Sequence, residues 1–218
     1  MICLPVIEKD KESALKTAEK YLELADLVEF RLDYLKELKI EDIKDFCRYP
    51  SIITIRSKEQ GGYFEGNKTG YLIEAIRNNA KFVDVENDYV DLPILVDYKK
   101  KIDSKTKIIV SYHNFEETPE KEKLKEIINN ALSFGDIAKI ATKVNDKKDI
   151  LTILELSYEY KGKIIAIGMG EEGKLTRILA PYFGSILTFS SYKGKSSAPG
   201  QIDIEKMKKI IEMLELKK

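Results

Sequence analysis

The sequence is short of several residues that carry common functions. Its 218 residues include no tryptophan, one histidine (His113), two cysteines (Cys3 and Cys47) and two glutamines (Gln60 and Gln201). Two cysteines make neither a disulfide framework nor a metal set. One histidine with no His-x-x-x-His spacing is a poor ligand group for zinc, so no metal is expected. Long apolar runs are missing too: the longest reach about six residues, far short of the ~20 needed for a membrane helix. Met1–Lys9 has neither a basic start nor a full-length apolar stretch, so no secretory signal is expected. Charge of one sign is also absent. Lys+Arg and Asp+Glu both number 37, which leaves no basic excess to neutralise phosphates and removes nucleic acid as an expected partner.

What is present is the make-up of a globular chain. Hydrophobic residues are 43% and charged residues 34% of the sequence, enough apolar side chains to build a core. The expectation is a soluble cytoplasmic protein. Only five of the 37 basic residues are arginine (Arg31, Arg48, Arg56, Arg77 and Arg177). Lysine and glutamate enrichment with few Gln, His and Cys is the composition associated with hyperthermophiles. In such a chain an Arg, a Gln or the one His marks a place where Lys or Glu would not serve.

Short β-branched runs recur eight times: Ile2–Ile7, Leu27–Arg31, Ser51–Arg56, Lys81–Glu86, Lys107–His113, Asp136–Ala141, Lys163–Gly168 and Gly184–Phe189. Segments of helical period separate them, such as Leu15, Ala18, Leu22 and Ala25 in the first and Ile127, Ile128 and Leu132 in the fifth. Thr118-Pro119 reads as an N-cap and first residue for the fifth helix, and Asp203 as the N-cap of an eighth helix from Ile204 to Leu216. No linker breaks the series. Strict β-then-α alternation calls for a parallel sheet, and eight repeats in this length fit a single-domain (β/α)8 TIM barrel over residues 1–218.

Side chains alternate between the two faces of a strand. Glu29 pairs with Arg31, Thr54 with Arg56, Asp84 with Glu86, Ser111 with His113, and Lys139 with Ile137 and Ala141, each pair opposite mostly apolar neighbours. Five consecutive strands thus place polar groups on one face near their C-terminal ends, where barrel enzymes keep their chemistry. One charge inside a strand is usually half of a structural ion pair. Five strands agreeing on face and end point to a site, because buried charges cost several kcal/mol each unless paired. His113, the single imidazole, is the candidate general base and acid. Burial in a strand would depress the pKa of Lys139 and free an amine able to form an imine with a carbonyl. The competing reading pairs Lys139 with Asp84 or Glu86, and Lys143 is the second choice of nucleophile. The planar forks of Arg31, Arg56 and Arg177 suit a carboxylate, so the ligand expected is a small polar acid bearing a ketone.

Two motifs resemble nucleotide loops and fail. Gly168-Met169-Gly170-Glu171-Glu172-Gly173 has the G-x-G-x-x-G spacing, but about 20 residues on the chain reads Phe189-Ser190 with no acid for a ribose. Gly194-Lys195-Ser196 lacks the upstream glycine of a phosphate loop, where Phe189 stands.

Asp84-Val85-Glu86-Asn87 followed by Ile108-Ile109-Val110-Ser111-Tyr112-His113-Asn114 resembles the signature of the type I 3-dehydroquinate dehydratases. Glu29-Phe30-Arg31-Leu32-Asp33, Arg56 with Gly61-Gly62, Lys139-Ile140-Ala141, Arg177 and Ser197-Ala198-Pro199-Gly200-Gln201 resemble further blocks of that family in the same order. The resemblance implies a cofactor-free (β/α)8 barrel of the shikimate route that turns 3-dehydroquinate into 3-dehydroshikimate and water. It implies an imine on Lys139, proton transfer by His113, and substrate contacts from Glu29, Arg31, Arg56, Arg177, Ser197 and Gln201, the last two on a lid loop over 190–202. A homodimer is the expected assembly. The chain departs from the family at Gln60, where a glutamate often precedes the paired glycines, so Glu59, Gln60, Asp84 and Glu86 all stand as candidates to orient His113. A class I aldolase, with a phosphorylated substrate at the Gly168–Gly173 turn, and a non-catalytic carboxylate-binding barrel are the rival readings.

Overall fold

The computed structural model describes residues 1–215. Eight strands alternate with eight helices: β1 Ile2–Val6, α1 Lys11–Tyr21, β2 Leu27–Arg31, α2 Ile43–Phe46, β3 Ser51–Thr54, α3 Thr69–Arg77, β4 Phe82–Glu86, α4 Leu92–Lys101, β5 Lys107–Asn114, α5 Lys121–Phe134, β6 Ile137–Lys143, α6 Lys147–Glu159, β7 Ile164–Met169, α7 Lys174–Phe183, β8 Thr188–Ser191 and α8 Ile204–Met213. A ninth strand, β9 Ile202–Asp203, precedes α8. The sheet runs β7-β6-β5-β4-β3-β2-β1-β8-β9 and every ladder in it is parallel. Between β7 and β8 the described residues form no ladder. There Ile186 N–H donates to Ile164 O at 2.8 Å and the curled sheet closes into a barrel.

Alternation along each strand builds two apolar layers. Outward residues such as Val28, Phe30, Ile53, Val83, Val85, Val110, Ala138 and Ile140 pack with buried helix residues, among them Ala18, Leu72, Ile128 and Ile153. Inward residues at the strand starts (Cys3, Leu27, Ile52, Phe82, Ile109, Ile137, Ile165 and Leu187) form a dry floor across the barrel. That floor closes the barrel on one side, so polar inward residues further along the strands can meet ligand only from the C-terminal mouth.

Most strand ends shift by one or two residues from the sequence reading, and three element ends differ more instructively. The eighth strand begins at Thr188 rather than Gly184, because Gly184 ends α7 and the Ser185 hydroxyl takes the Ala166 N–H that a ladder would use. Thr118 does not cap the fifth helix: its hydroxyl donates to Lys143 O at 2.8 Å, and α5 starts at Lys121 after Glu120. Asp203 does cap α8, accepting from Glu205 N–H at 3.0 Å. The helix ends at Met213, and Leu216 lies outside the described residues.

Candidate active site

Two residues above the floor, each strand presents its next inward side chain. Leu27 is followed by Glu29 and Arg31, Ile52 by Thr54 and Arg56, Phe82 by Asp84 and Glu86, and Ile109 by Ser111 and His113. Ile137 is followed by Lys139 and Ala141, Ile165 by Ile167 and Met169, and Leu187 by Phe189. The result is a cavity lined by all eight candidates: Glu29, Arg31, Arg56, His113, Lys139, Arg177, Ser197 and Gln201. Ile167, Met169, Phe189 and Ala141 supply its apolar wall. Ser111 is the register partner of Lys139 and His113 that of Ala141. The imidazole therefore sits one strand across and one tier nearer the mouth than the amine, roughly 5 Å sideways and ~7 Å upward in backbone terms.

Most of the buried charge here is paired within the protein. Arg31 donates from Nε and Nη2 to Asp33 at 2.8 and 2.7 Å. Burial opposes its charge, and Asp33 more than restores it. Arg56 donates to Asp84 Oδ1 at 2.6 Å and to Ser111 Oγ at 2.9 Å. Lys139 Nζ lies 2.7 Å from Asp84 Oδ2, so the pairing weighed against a free amine is the one the resting site adopts. Burial would raise the Asp84 carboxyl, but Arg56 and Lys139 outweigh it and hold the group far below the usual carboxylate range. Glu29 accepts from Thr54 Oγ1 at 2.8 Å.

Arg177 is the exception. It lies on α7, 2% exposed, and donates to the carbonyls of Phe189 (3.4 Å) and Pro199 (3.0 Å). Its Nε has no partner and no carboxylate of the described residues pairs with it. Burial alone pushes its pKa down to about 10. An uncompensated buried guanidinium is costly, and a ligand carboxylate would satisfy it. The three-arginine clamp expected from sequence therefore narrows to one fork without a carboxylate, because Arg31 and Arg56 already hold carboxylates. Arg177→Lys keeps the charge and loses the fork. Substrate KM should rise by about tenfold, the scale of a lost charge-assisted bond; unchanged steady-state constants would make Arg177 structural.

His113 is half-buried with an unpartnered Nδ1. Burial is the main force holding its pKa well below the ordinary 6.5, with Arg56 and Lys139 adding to it and Asp84 only partly opposing. None of the four candidate orienting groups hydrogen-bonds it. Glu59 is exposed, Gln60 donates to Asp88 at 2.9 Å, Asp84 serves Arg56, Ser111 and Lys139, and Glu86 accepts from Ser57 at 3.0 Å. What stands beside the imidazole is Phe115, whose ring is nearly parallel to it at 6.2 Å. Gly61, at φ +76°, fits against that ring; a Cβ there would come within 2.8 Å of Phe115 Cζ.

The loop after β8 closes one side of the cavity. Gln201 Oε1 accepts from Ser197 N–H at 2.9 Å and its Nε2 donates to Ser197 Oγ at 3.0 Å, which ties the loop to itself. Gly200, at φ +78°, abuts the carbonyl of Gly170 so closely that a Cβ would lie 2.1 Å from it. Gly170 N–H in turn donates to Pro199 O at 3.4 Å. The Gly170 N–H that a phosphorylated ligand would use at this turn is thus taken by the chain itself.

Sequence reasoning missed Ile167, Met169, Phe189 and Phe115. The first three were available by extending the two-residue period to β7 and β8; Phe115, beyond a strand end, carries no such signal.

Comparison with known proteins agrees with this geometry. The family model described as type I 3-dehydroquinase matches residues 2–218. The chain is 60% identical over 220 residues to the 3-dehydroquinate dehydratase of Methanocaldococcus jannaschii, with 100% of both chains covered. It is similar to the crystal structure of the Aquifex aeolicus 3-dehydroquinate dehydratase (TM-score 0.86, 31% identity, 98% of each chain covered). It is also similar to a type I enzyme of Clostridium difficile solved with covalent modified comenic acid (TM-score 0.84, 27% identity, 98% and 91% covered).

Proposed function

This chain belongs to the type I 3-dehydroquinase family, and on that premise we propose how its own residues carry the dehydration of 3-dehydroquinate to 3-dehydroshikimate and water. The reading rests on one observation: a strand-borne lysine, the only imidazole and an arginine without a carboxylate share a single cavity. Arg177 takes the substrate carboxylate. Lys139 leaves Asp84, passes a proton to His113 and attacks the C3 ketone; His113 returns that proton to the carbinolamine oxygen, which departs as water as the protonated imine forms and leaves His113 neutral again. The imine withdraws electrons and acidifies the C2 proton. Neutral His113 removes that proton from one tier above, and the electron pair moves toward the imine nitrogen. The C1–oxygen bond then breaks with the proton returned by His113 to the leaving hydroxyl. Water hydrolyses the product imine and restores Lys139.

Glu29, Arg31 and Arg56 act on the hydroxyls through the outer edges of groups already paired. The segment 190–202 serves as a lid, with Ser197 and Gln201 facing the substrate and Arg177 joining carboxylate recognition to the lid through Pro199 O. A relative solved with covalent modified comenic acid is in keeping with a site that forms adducts. The aldolase reading loses support because the Gly170 N–H of the Gly168–Gly173 turn is given to Pro199 O.

Borohydride added with 3-dehydroquinate should inactivate the enzyme, and peptide mass mapping should find a single substrate-derived adduct on Lys139. An adduct on Lys143 would keep the chemistry and move the residue; dehydration without any adduct would exclude the imine. Among the described residues no helix is long and apolar enough to cross a membrane. A cytoplasmic homodimer completes the proposal. The exposed Leu151 and Tyr158 of α6 and Leu175 and Tyr182 of α7 offer it an apolar face, and a monomeric sedimentation mass would refute it.

A further inference from the structure

Outside the cavity, a second buried lysine belongs to the same chain of charges as Lys139. Lys68 lies at the N-terminal edge of α3 and is 1% exposed. Its ammonium donates to Ile55 O at 3.0 Å, pairs closely with Glu86 Oε2, and stands 4.7 Å from the Tyr89 ring centroid. The other Glu86 oxygen accepts from both the N–H and the hydroxyl of Ser57 at 3.0 Å and lies 3.3 Å from Arg56 Nη1. Arg56 bonds to Asp84, and Asp84 to Lys139. Five buried charges thus alternate in sign from α3 to the cavity: Lys68, Glu86, Arg56, Asp84, Lys139.

Arg56 is the pivot, because it touches both carboxylates. With Lys68 present, Glu86 is satisfied by Lys68 and Ser57, and the hydrogen bonds of Arg56 go to Asp84 and Ser111. Without Lys68, one Glu86 oxygen becomes a buried carboxylate oxygen lacking a donor, which is strongly unfavourable. The nearest cation able to satisfy it is Arg56. Any turn of Arg56 toward Glu86 strips Asp84 of its other cation and leaves that carboxylate to grip Lys139 alone.

We propose that Lys68 is a positioning residue for imine formation: by neutralising Glu86 from outside the cavity it leaves Arg56 to Asp84, and so limits the hold of Asp84 on Lys139. This rests on Lys139 being the imine-forming residue. Lys68 itself touches neither substrate nor reacting atoms. The titratable and charged groups around the Lys139 amine are Asp84 from β4, Arg56 just beyond β3, His113 from β5 and Cys3 from β1, with Glu29 from β2 and Arg177 from α7 lining the same cavity. Of these only Asp84 holds the ammonium directly, and Arg56 is what moderates it.

The test follows imine formation in a single turnover, by quenching with borohydride at timed intervals. In Lys68→Met it should slow by about tenfold at neutral pH, within the range of coupling inside one ion-pair network. The deficit should shrink as pH rises, since an ammonium gripped more tightly is freed at higher pH. Lys68→Met/Glu86→Gln removes both charges of the outer pair, leaves no carboxylate unpaired, and should return the rate to near that of the parent. Slowing in Lys68→Met that neither higher pH nor Glu86→Gln relieves would make Lys68 merely structural and overturn the proposal, as would a parent-like rate in a folded Lys68→Met. If Lys68→Met does not fold, the double variant decides: a parent-like rate supports the proposal and a slow one overturns it. An adduct on Lys139 in the parent keeps the underlying mechanism intact in every case; its absence there would remove both together.

Discussion

Replacing Lys139 with arginine is expected to end turnover, by roughly 10⁴-fold or more, the scale on which deleting a nucleophile acts. In the proposed mechanism this amine carries the substrate ketone, and no other lysine of the described residues lines the cavity. Arginine keeps a cation for Asp84 and so avoids leaving that carboxylate half-paired, but it stays protonated at any working pH and offers no free electron pair. The variant should therefore bind substrate through Arg177 and still do no chemistry. Because the chain has no tryptophan, binding is best followed by calorimetry. Loss of turnover with binding intact, and no borohydride adduct, is the expected result. Turnover within tenfold of the parent would remove Lys139 from the mechanism.

His113→Ala should fall less far, by the ~10²–10⁴ of a general acid–base group, and should fail at a different step. The imine precedes proton removal, so the covalent adduct should still be trapped, given time, while product formation nearly stops. A variant that loses adduct and product equally would place His113 in imine formation alone. The parent enzyme's pH dependence provides an independent check. Burial, Arg56 and Lys139 hold the imidazole pKa well below 6.5, so the base is neutral at neutral pH. The part of the activity that depends on this base is lost as pH falls through that lowered value. The acid limb of kcat/KM should accordingly lie well below 6.5, and a limb at or above 6.5 would assign it to another group.

Much of this site can be read from spacing. Glu29 and Arg31, Asp84 and Glu86, Ser111 and His113 share a face because a strand repeats every two residues, and a barrel sends one face inward. The same rule extended to Ile165, Ile167 and Met169 accounts for the apolar wall. Less could be read where the chain leaves the strand. Thr118 has the residue type and place of an N-cap, yet a carbonyl on β6 takes its hydroxyl. Gly184–Leu187 has the apolar content of a strand, yet Ser185 occupies the donor a ladder would need. In both, a contact distant in sequence outbids a local preference.

By itself the sequence determined the parallel barrel, the end of it at which the polar residues gather, and which residues meet there, because these depend on periodicity and order along the chain. Only the tertiary structure decided how the charges are shared. Arg31, Arg56 and Arg177 look alike as letters. Two are already bound to Asp33 and Asp84, and the third is sealed on α7 with no carboxylate in reach. Lys68, one lysine among many on a helix edge, becomes the terminal charge of a buried series ending at Lys139. Pairing in a low-dielectric interior is set by distances of a few ångströms between side chains far apart in sequence, and those distances exist only once the barrel has closed.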